Sequence, residues 1–128
     1  MTAIEEMYKV YGVDKQRVID CCTTEEYFEC ENVSNCANCD KCIHLEYPPF
    51  TAEKQLELIK LITSTQGEFS IEKNDYPDGE QFCCFWSSYD SYSLVNTTNK
   101  DFTQALAKLV IALKDELDHT KVKEVLEG

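Results

Sequence analysis

Apolar residues recur along the chain at two spacings, and each spacing predicts its own kind of element. Ile4, Met7, Tyr8 and Tyr11 repeat at helical intervals, with Thr2 and Glu5 as a capping box before them and Gly12 as a stop after them. A second short helix is predicted from Asp14 through Val18 and Ile19 into Cys21-Cys22, and Thr23 with Glu26 predicts one more helical turn through Tyr27 and Phe28. Pro48-Pro49 interrupts the pattern, because a residue before proline avoids the helical region. Thr51 then caps a helix running to about Thr65, which carries Leu56, Leu58, Ile59, Leu61 and Ile62 and is closed by Gly67.

Beyond Gly67 the period shortens. Phe69 and Ile71 alternate in a first strand that ends at the turn-rich Asn74-Asp75-Tyr76-Pro77-Asp78-Gly79; Gln81–Trp86 and Ser91–Asn96 supply two more. The helical period returns with Asp101 in the first turn, Thr98 or Asn99 as cap, and a face of Phe102, Ala105, Leu106, Leu109, Val110, Leu113 and Leu117. Thr120 is expected to cap a last short helix carrying Val122, Val125 and Leu126. Three strands joined by short turns form an antiparallel meander, whose apolar face two amphipathic helices must cover. The expected class is α+β: a short helical, cysteine-rich module over 1–47, then an α-β-β-β-α domain over 48–128 with a short C-terminal helix. At 128 residues and 43% hydrophobic, the chain has material for one core and little more.

The cysteines add a second theme. Six of the eight lie within the first 42 residues: Cys21, Cys22, Cys30, Cys36, Cys39 and Cys42. The run Cys30-x5-Cys36-x2-Cys39-x2-Cys42 turns the chain so that sulfurs can face one cation, which suits a structural zinc site, with Cys22 or His44 as substitute ligands. Glu29, Glu31 and Asp40 flank these thiols and oppose their ionisation, so the metal has to overcome that field. Cys-x2-Cys-x2-Cys also occurs in iron–sulfur runs, which makes a cluster the alternative cofactor, and ordinary reduced thiols are the plain one. Cys83 and Cys84 are neighbours inside Phe82-Cys83-Cys84-Phe85-Trp86; adjacent strand residues point to opposite faces, so they are expected as small hydrophobes.

Charge narrows the function classes. Twelve Lys and Arg against 24 Asp and Glu leave a formal charge of −12, which argues against binding nucleic acid directly. No apolar run is long enough for a membrane span, and the acidic start lacks the basic and apolar regions of a secretion signal, so the cytoplasm is the expected compartment. There is no phosphate-cradling glycine loop, no zinc-deaminase pattern and no dithiol in a strand–helix–strand unit, so the chain is expected not to be an enzyme. His119 is expected as a solvated histidine at a helix end. Helix–three strands–helix is also the order of double-stranded-RNA-binding domains, but the lysine cluster that meets phosphates there is reduced here to Lys100 beside Asp101.

Two groups of carboxylates remain as candidate contacts for a basic partner surface. Glu25, Glu26, Glu29, Glu31 and Asp40 surround the cysteine run, while Asp75, Asp78, Glu80 and Asp90 fall on the strand turns beside Tyr76, Tyr89 and Tyr92.

Pro49-Phe50-Thr51-Ala52-Glu53 opening a leucine-rich helix, the three short strands, and Asp101-Phe102-Thr103-Gln104-Ala105-Leu106 opening the long last helix resemble small bacteriophage and prophage proteins of the phage ABA-sandwich type. The resemblance covers about half of the chain and leaves the cysteine run outside it. It implies a phage or prophage origin, hence the cytoplasm of a bacterial host, and brings no catalytic residues. Together with acidity and small size, it makes an anti-CRISPR-like inhibitor of a host nucleic-acid-handling protein, such as a CRISPR effector, the leading expectation. The alternatives are a zinc-stabilised protein-interaction module and a small iron–sulfur or redox protein.

Overall fold

The computed structural model describes residues 2–19, 43–90 and 94–128. Among them are four helices and two antiparallel sheets: α1 (Ala3–Val10), β1 (Gln16–Ile19), β2 (Ile43–Glu46), α2 (Ala52–Thr63), β3 (Gly67–Tyr76), β4 (Gly79–Ser88), β5 (Leu94–Asn99), α3 (Phe102–Ala112) and α4 (His119–Glu127). The α+β class is therefore as expected. The chain divides into two compact units, Met1–Val13 with Pro49–Gly128, and Asp14–Pro48.

In the larger unit, caps fix where the helices begin. The Thr2 hydroxyl accepts from the Glu5 amide at 3.2 Å, and Gly12, at φ +73°, follows the last turn of α1. Thr51 accepts from the Lys54 amide in the same way for α2. The caps of the later helices differ from the expected ones. Asp101, not Thr98 or Asn99, accepts from the Thr103 amide at 2.9 Å, and Asp118, not Thr120, accepts from the Thr120 and Lys121 amides. Aspartate is as good a cap as threonine, and here it lies directly before the first helical residue. Helix α3 stops at Ala112, yet Leu113 and Leu117 remain buried in the turns that follow. His119 opens α4 instead of ending the helix before it, and its Nε2 lies 3.1 Å from the Lys114 carbonyl.

The meander forms with order β3-β4-β5 and is longer than the pattern suggested. Strand β3 runs through Asn74, Asp75 and Tyr76, so the turn shrinks to Pro77-Asp78, with Tyr76 opposite Gly79. Gly79 has φ +118°, a backbone conformation that side chains with a Cβ rarely adopt. Gly67 does not close α2 but starts β3, where a Cβ would overlap the Trp86 indole. The third strand begins at Leu94, and Ser91, Tyr92 and Ser93 lie outside the described residues.

The core fills the space between helices and sheet. Leu58 and Ile62 of α2, Ala105, Leu106, Leu109 and Val110 of α3, and Val122 and Leu126 of α4 are fully buried, as are Met7 and Cys84. The Trp86 indole donates to the Thr65 hydroxyl at 2.9 Å, and Thr97 donates to the Ala105 carbonyl at 2.8 Å. Phe82 meets Phe102 edge-on at 5.9 Å. Helix α1 joins the same core: the Tyr11 hydroxyl donates to the Val110 carbonyl at 2.7 Å, and burial first, then Asp115, pushes its pKa up to about 12. Burial likewise pushes Tyr8 up to about 12.

The smaller unit corrects the sequence reading. Residues from Asp14 do not form a second helix; Gln16–Ile19 pair antiparallel with Ile43–Glu46, in the register Gln16↔Glu46 to Ile19↔Ile43. Val18 and Ile19 are β-branched and suit an extended backbone, but their partner strand lies beyond a long polar stretch that local periodicity cannot bridge. Lys15 lies over the Tyr47 ring at 5.4 Å. The helical turn predicted from Thr23 lies outside the described residues.

Candidate functional site

Cys22, Cys30, Cys36, Cys39 and Cys42, with Glu25, Glu26, Glu29, Glu31 and Asp40, lie outside the described residues, while His44 stands on β2 in register with Val18. Among the described residues, no group of three or more His, Cys, Asp or Glu side chains is arranged to hold a metal.

Cys83 and Cys84 are both free and buried, on opposite faces of β4. Cys84 faces the helices, and burial, with Cys83 adding less, pushes its thiol up to about 11. A thiol so far from ionisation is a poor nucleophile and a poor metal ligand at neutral pH. Cys83 lies on the other face and is nevertheless fully buried. The Tyr76 ring folds back along that face, its hydroxyl sharing a 3.2 Å hydrogen bond with the Cys83 sulfur, and the Asn74 amide donates to the same sulfur at 3.4 Å. That bond holds the Tyr76 phenol above its ordinary range.

The candidate partner-binding residues on the turns are not brought together. Asp75, Tyr76, Asp78 and Glu80 cluster at one end of the long β3–β4 hairpin, whereas Tyr89 and Asp90 follow the other end of β4. The ten residues of β4 separate the two groups, roughly 30 Å at about 3.3 Å per residue. At the hairpin tip the Asp78 carboxylate accepts from the Gln81 amide at 3.1 and 3.2 Å, and Lys73 pairs with Glu80 at 2.9 Å. Hydrogen bonding and charge from Glu80, with a smaller contribution from Asp75, hold the Lys73 ammonium above its usual range, so the local field is anionic. Asp75, Asp78 and Glu80 against Lys73 leave the tip net negative.

The face of the sheet away from the helices carries a second feature, which the sequence reading missed. The registers place Glu68, Ser87 and Leu94 in one row, Ser70, Phe85 and Asn96 in the next, and Glu72, Cys83 and Thr98 in a third. Tyr76 covers the Cys83 end, while the end between Glu68, Glu72, Phe85 and Leu94 forms an open groove of about 480 Å³. Its signal was present: Phe82-Cys83-Cys84-Phe85-Trp86 is apolar at consecutive positions, which marks a strand with apolar side chains on both faces.

Comparison with protein-family models, curated proteins and solved structures found no match to this chain.

Proposed function

We propose that this chain is a non-enzymatic inhibitor that presents an acidic surface to the basic groove of a nucleic-acid-handling protein, an anti-CRISPR-like factor that a phage or prophage directs at its host. The observation that carries this reading is the hairpin tip, where Asp75, Asp78 and Glu80 surround a two-residue turn at the end of two ten-residue strands, with Tyr76 beside them 39% exposed. A rigid hairpin can carry carboxylates into a groove shaped for phosphates, and an aromatic next to them supplies contact area once water is expelled. The chain's charge of −12 adds long-range attraction to such a groove. The resemblance to phage ABA-sandwich proteins supports the phage setting, and with it the bacterial cytoplasm.

In the same reading, Cys30, Cys36, Cys39 and Cys42 hold a zinc ion that braces the smaller unit, with Cys22 or His44 as alternative ligands. Support comes from the cysteine spacing and from the pairing among the described residues of the smaller unit: a lone two-stranded ribbon is marginal by itself, and a metal can supply folding energy to it. Metal analysis and native mass spectrometry are expected to find one zinc per chain, lost to chelators; a bare polypeptide unchanged by chelators removes the brace.

The inhibition test is competition. Purified protein should displace target DNA or guide RNA from a CRISPR effector nuclease, with affinity falling as salt rises. D75N/D78N/E80Q should weaken it by about tenfold or more. Salt-insensitive binding, or full potency in the triple variant, overturns the mimicry. The uncharged part of the outer sheet face favours the second reading, a zinc-stabilised interaction module that binds without mimicry; charge removal at the tip would then leave partner binding intact.

A further inference from the structure

The groove on the outer face of the three-stranded sheet has a floor and a rim of different chemistry. Phe85 from β4 and Leu94 from β5, the latter 65% exposed, offer apolar surface, and Ser70 and Ser87 offer hydroxyls beside it. Among the described residues of its lining, the charged groups are the carboxylates of Glu68 and Glu72 on β3. Both residues are exposed and point to the same side of one strand, four positions apart, roughly 13 Å at about 3.3 Å per residue. A volume of about 480 Å³ lies within the ordinary range for binding clefts and holds more than one side chain.

The geometry points to this groove as a docking site for an extended, arginine-bearing polypeptide segment of a partner protein. Charge complementarity selects the occupant. A second copy of this chain, itself at −12, would bring further negative charge to two glutamates, whereas arginine answers both parts of the groove. Its guanidinium pairs with a carboxylate, and its aliphatic stem and flat cation lie favourably on Phe85 and Leu94. In an extended segment, arginines four positions apart match Glu68 and Glu72, and the side chain midway between them falls on the same side, over Ser70 and Phe85. The groove and the hairpin tip are built from different residues, so this site stands independently of the nucleic-acid mimicry.

The test titrates the full, isotope-labelled chain with an eight-residue peptide carrying arginine at positions 2 and 6 and leucine at position 4; a control has glutamine in place of both arginines. Amide shifts are expected at Glu68, Ser70, Glu72, Phe85, Ser87 and Leu94. E68Q/E72Q, two exposed substitutions that keep polar side chains, should weaken binding by about tenfold or more. L94S should weaken it about threefold with the fold intact. D75N/D78N/E80Q should bind the peptide as the unaltered chain does, which separates this site from the inhibitory tip. The proposal is overturned if the glutamine control binds equally, if shifts spread over the tip carboxylates, or if E68Q/E72Q binds undiminished.

Discussion

The two faces of the three-stranded sheet receive nearly the same kind of side chain from β4, a buried cysteine on each, but are covered by different means. Phe82, Cys84 and Trp86 point toward the helices, where Cys84 is sealed and Trp86 is held by Thr65. Cys83 and Phe85 point the other way, where one tyrosine covers the thiol and the phenylalanine lines an open groove. The difference is set less by the strand than by what arrives on each side. Helices α2 and α3 bring Leu58, Ile62, Leu106 and Leu109 to the inner face, while among the described residues it is Tyr76, from β3 itself, that folds over the outer face. Alternation within a strand decides which residues share a face; it does not decide which face becomes the core.

The inner face should therefore carry the stability and the outer face should not. Trp86→Ala removes the largest side chain joining sheet to helix and should cost about 3–5 kcal/mol in urea unfolding. Gly67→Ala drives a methyl group into the same indole and should cost about 1–3 kcal/mol, with a shift in the fluorescence of the single tryptophan. Asp101→Ala strips the cap of α3 and should cost about 1 kcal/mol by the same unfolding measurement. Alkali provides a graded version. Tyr8 and Tyr11 titrate near 12 in the fold against 10.0 when free, so above pH 10 the unfolded chain holds fewer protons. Stability should be intact below pH 10 and fall as pH rises toward 12, and thermal melts of Tyr11→Phe should show a shallower slope. At the far end of the scale, Leu94→Ser on the outer face should change stability by less than about 0.5 kcal/mol. A large loss there would mean that this face is packed after all.

What could be read from the sequence follows the range of the physics involved. Capping by Thr2 and Thr51 needs only three residues of context, and the helical stripes of α2 and α3 need about a dozen; these were legible. Pairing of Gln16–Ile19 with Ile43–Glu46 depends on residues far apart in the chain, and read locally Val18 and Ile19 suited a helix as well as a strand. The hairpin was mistaken in a different way. Asn74 and Asp75 are turn formers by type and Tyr76 precedes a proline, but the cross-strand partners Gln81, Glu80 and Gly79 extend the ladder through them. Of the candidate contacts, Asp75, Tyr76, Asp78 and Glu80 do share one tip, because neighbours in a hairpin stay neighbours. Asp90 and Tyr89 follow ten residues later, and a strand carries them to the other end. The groove escaped notice because its residues come from three strands, and only the register joins them.

Strands β3 and β5 are the two borders of their sheet, and a border is a template for any chain that arrives extended. β5 limits the hazard by being six residues long. β3 is ten residues long and sets Glu68, Glu72, Lys73 and Asp75 around Phe69 and Ile71, so charges of both faces interrupt what would otherwise be a sticky ribbon. Mutual repulsion between anionic molecules keeps two such ribbons apart in dilute buffer. Any association of this sheet with another extended chain is expected to favour β3, the longer of its two borders.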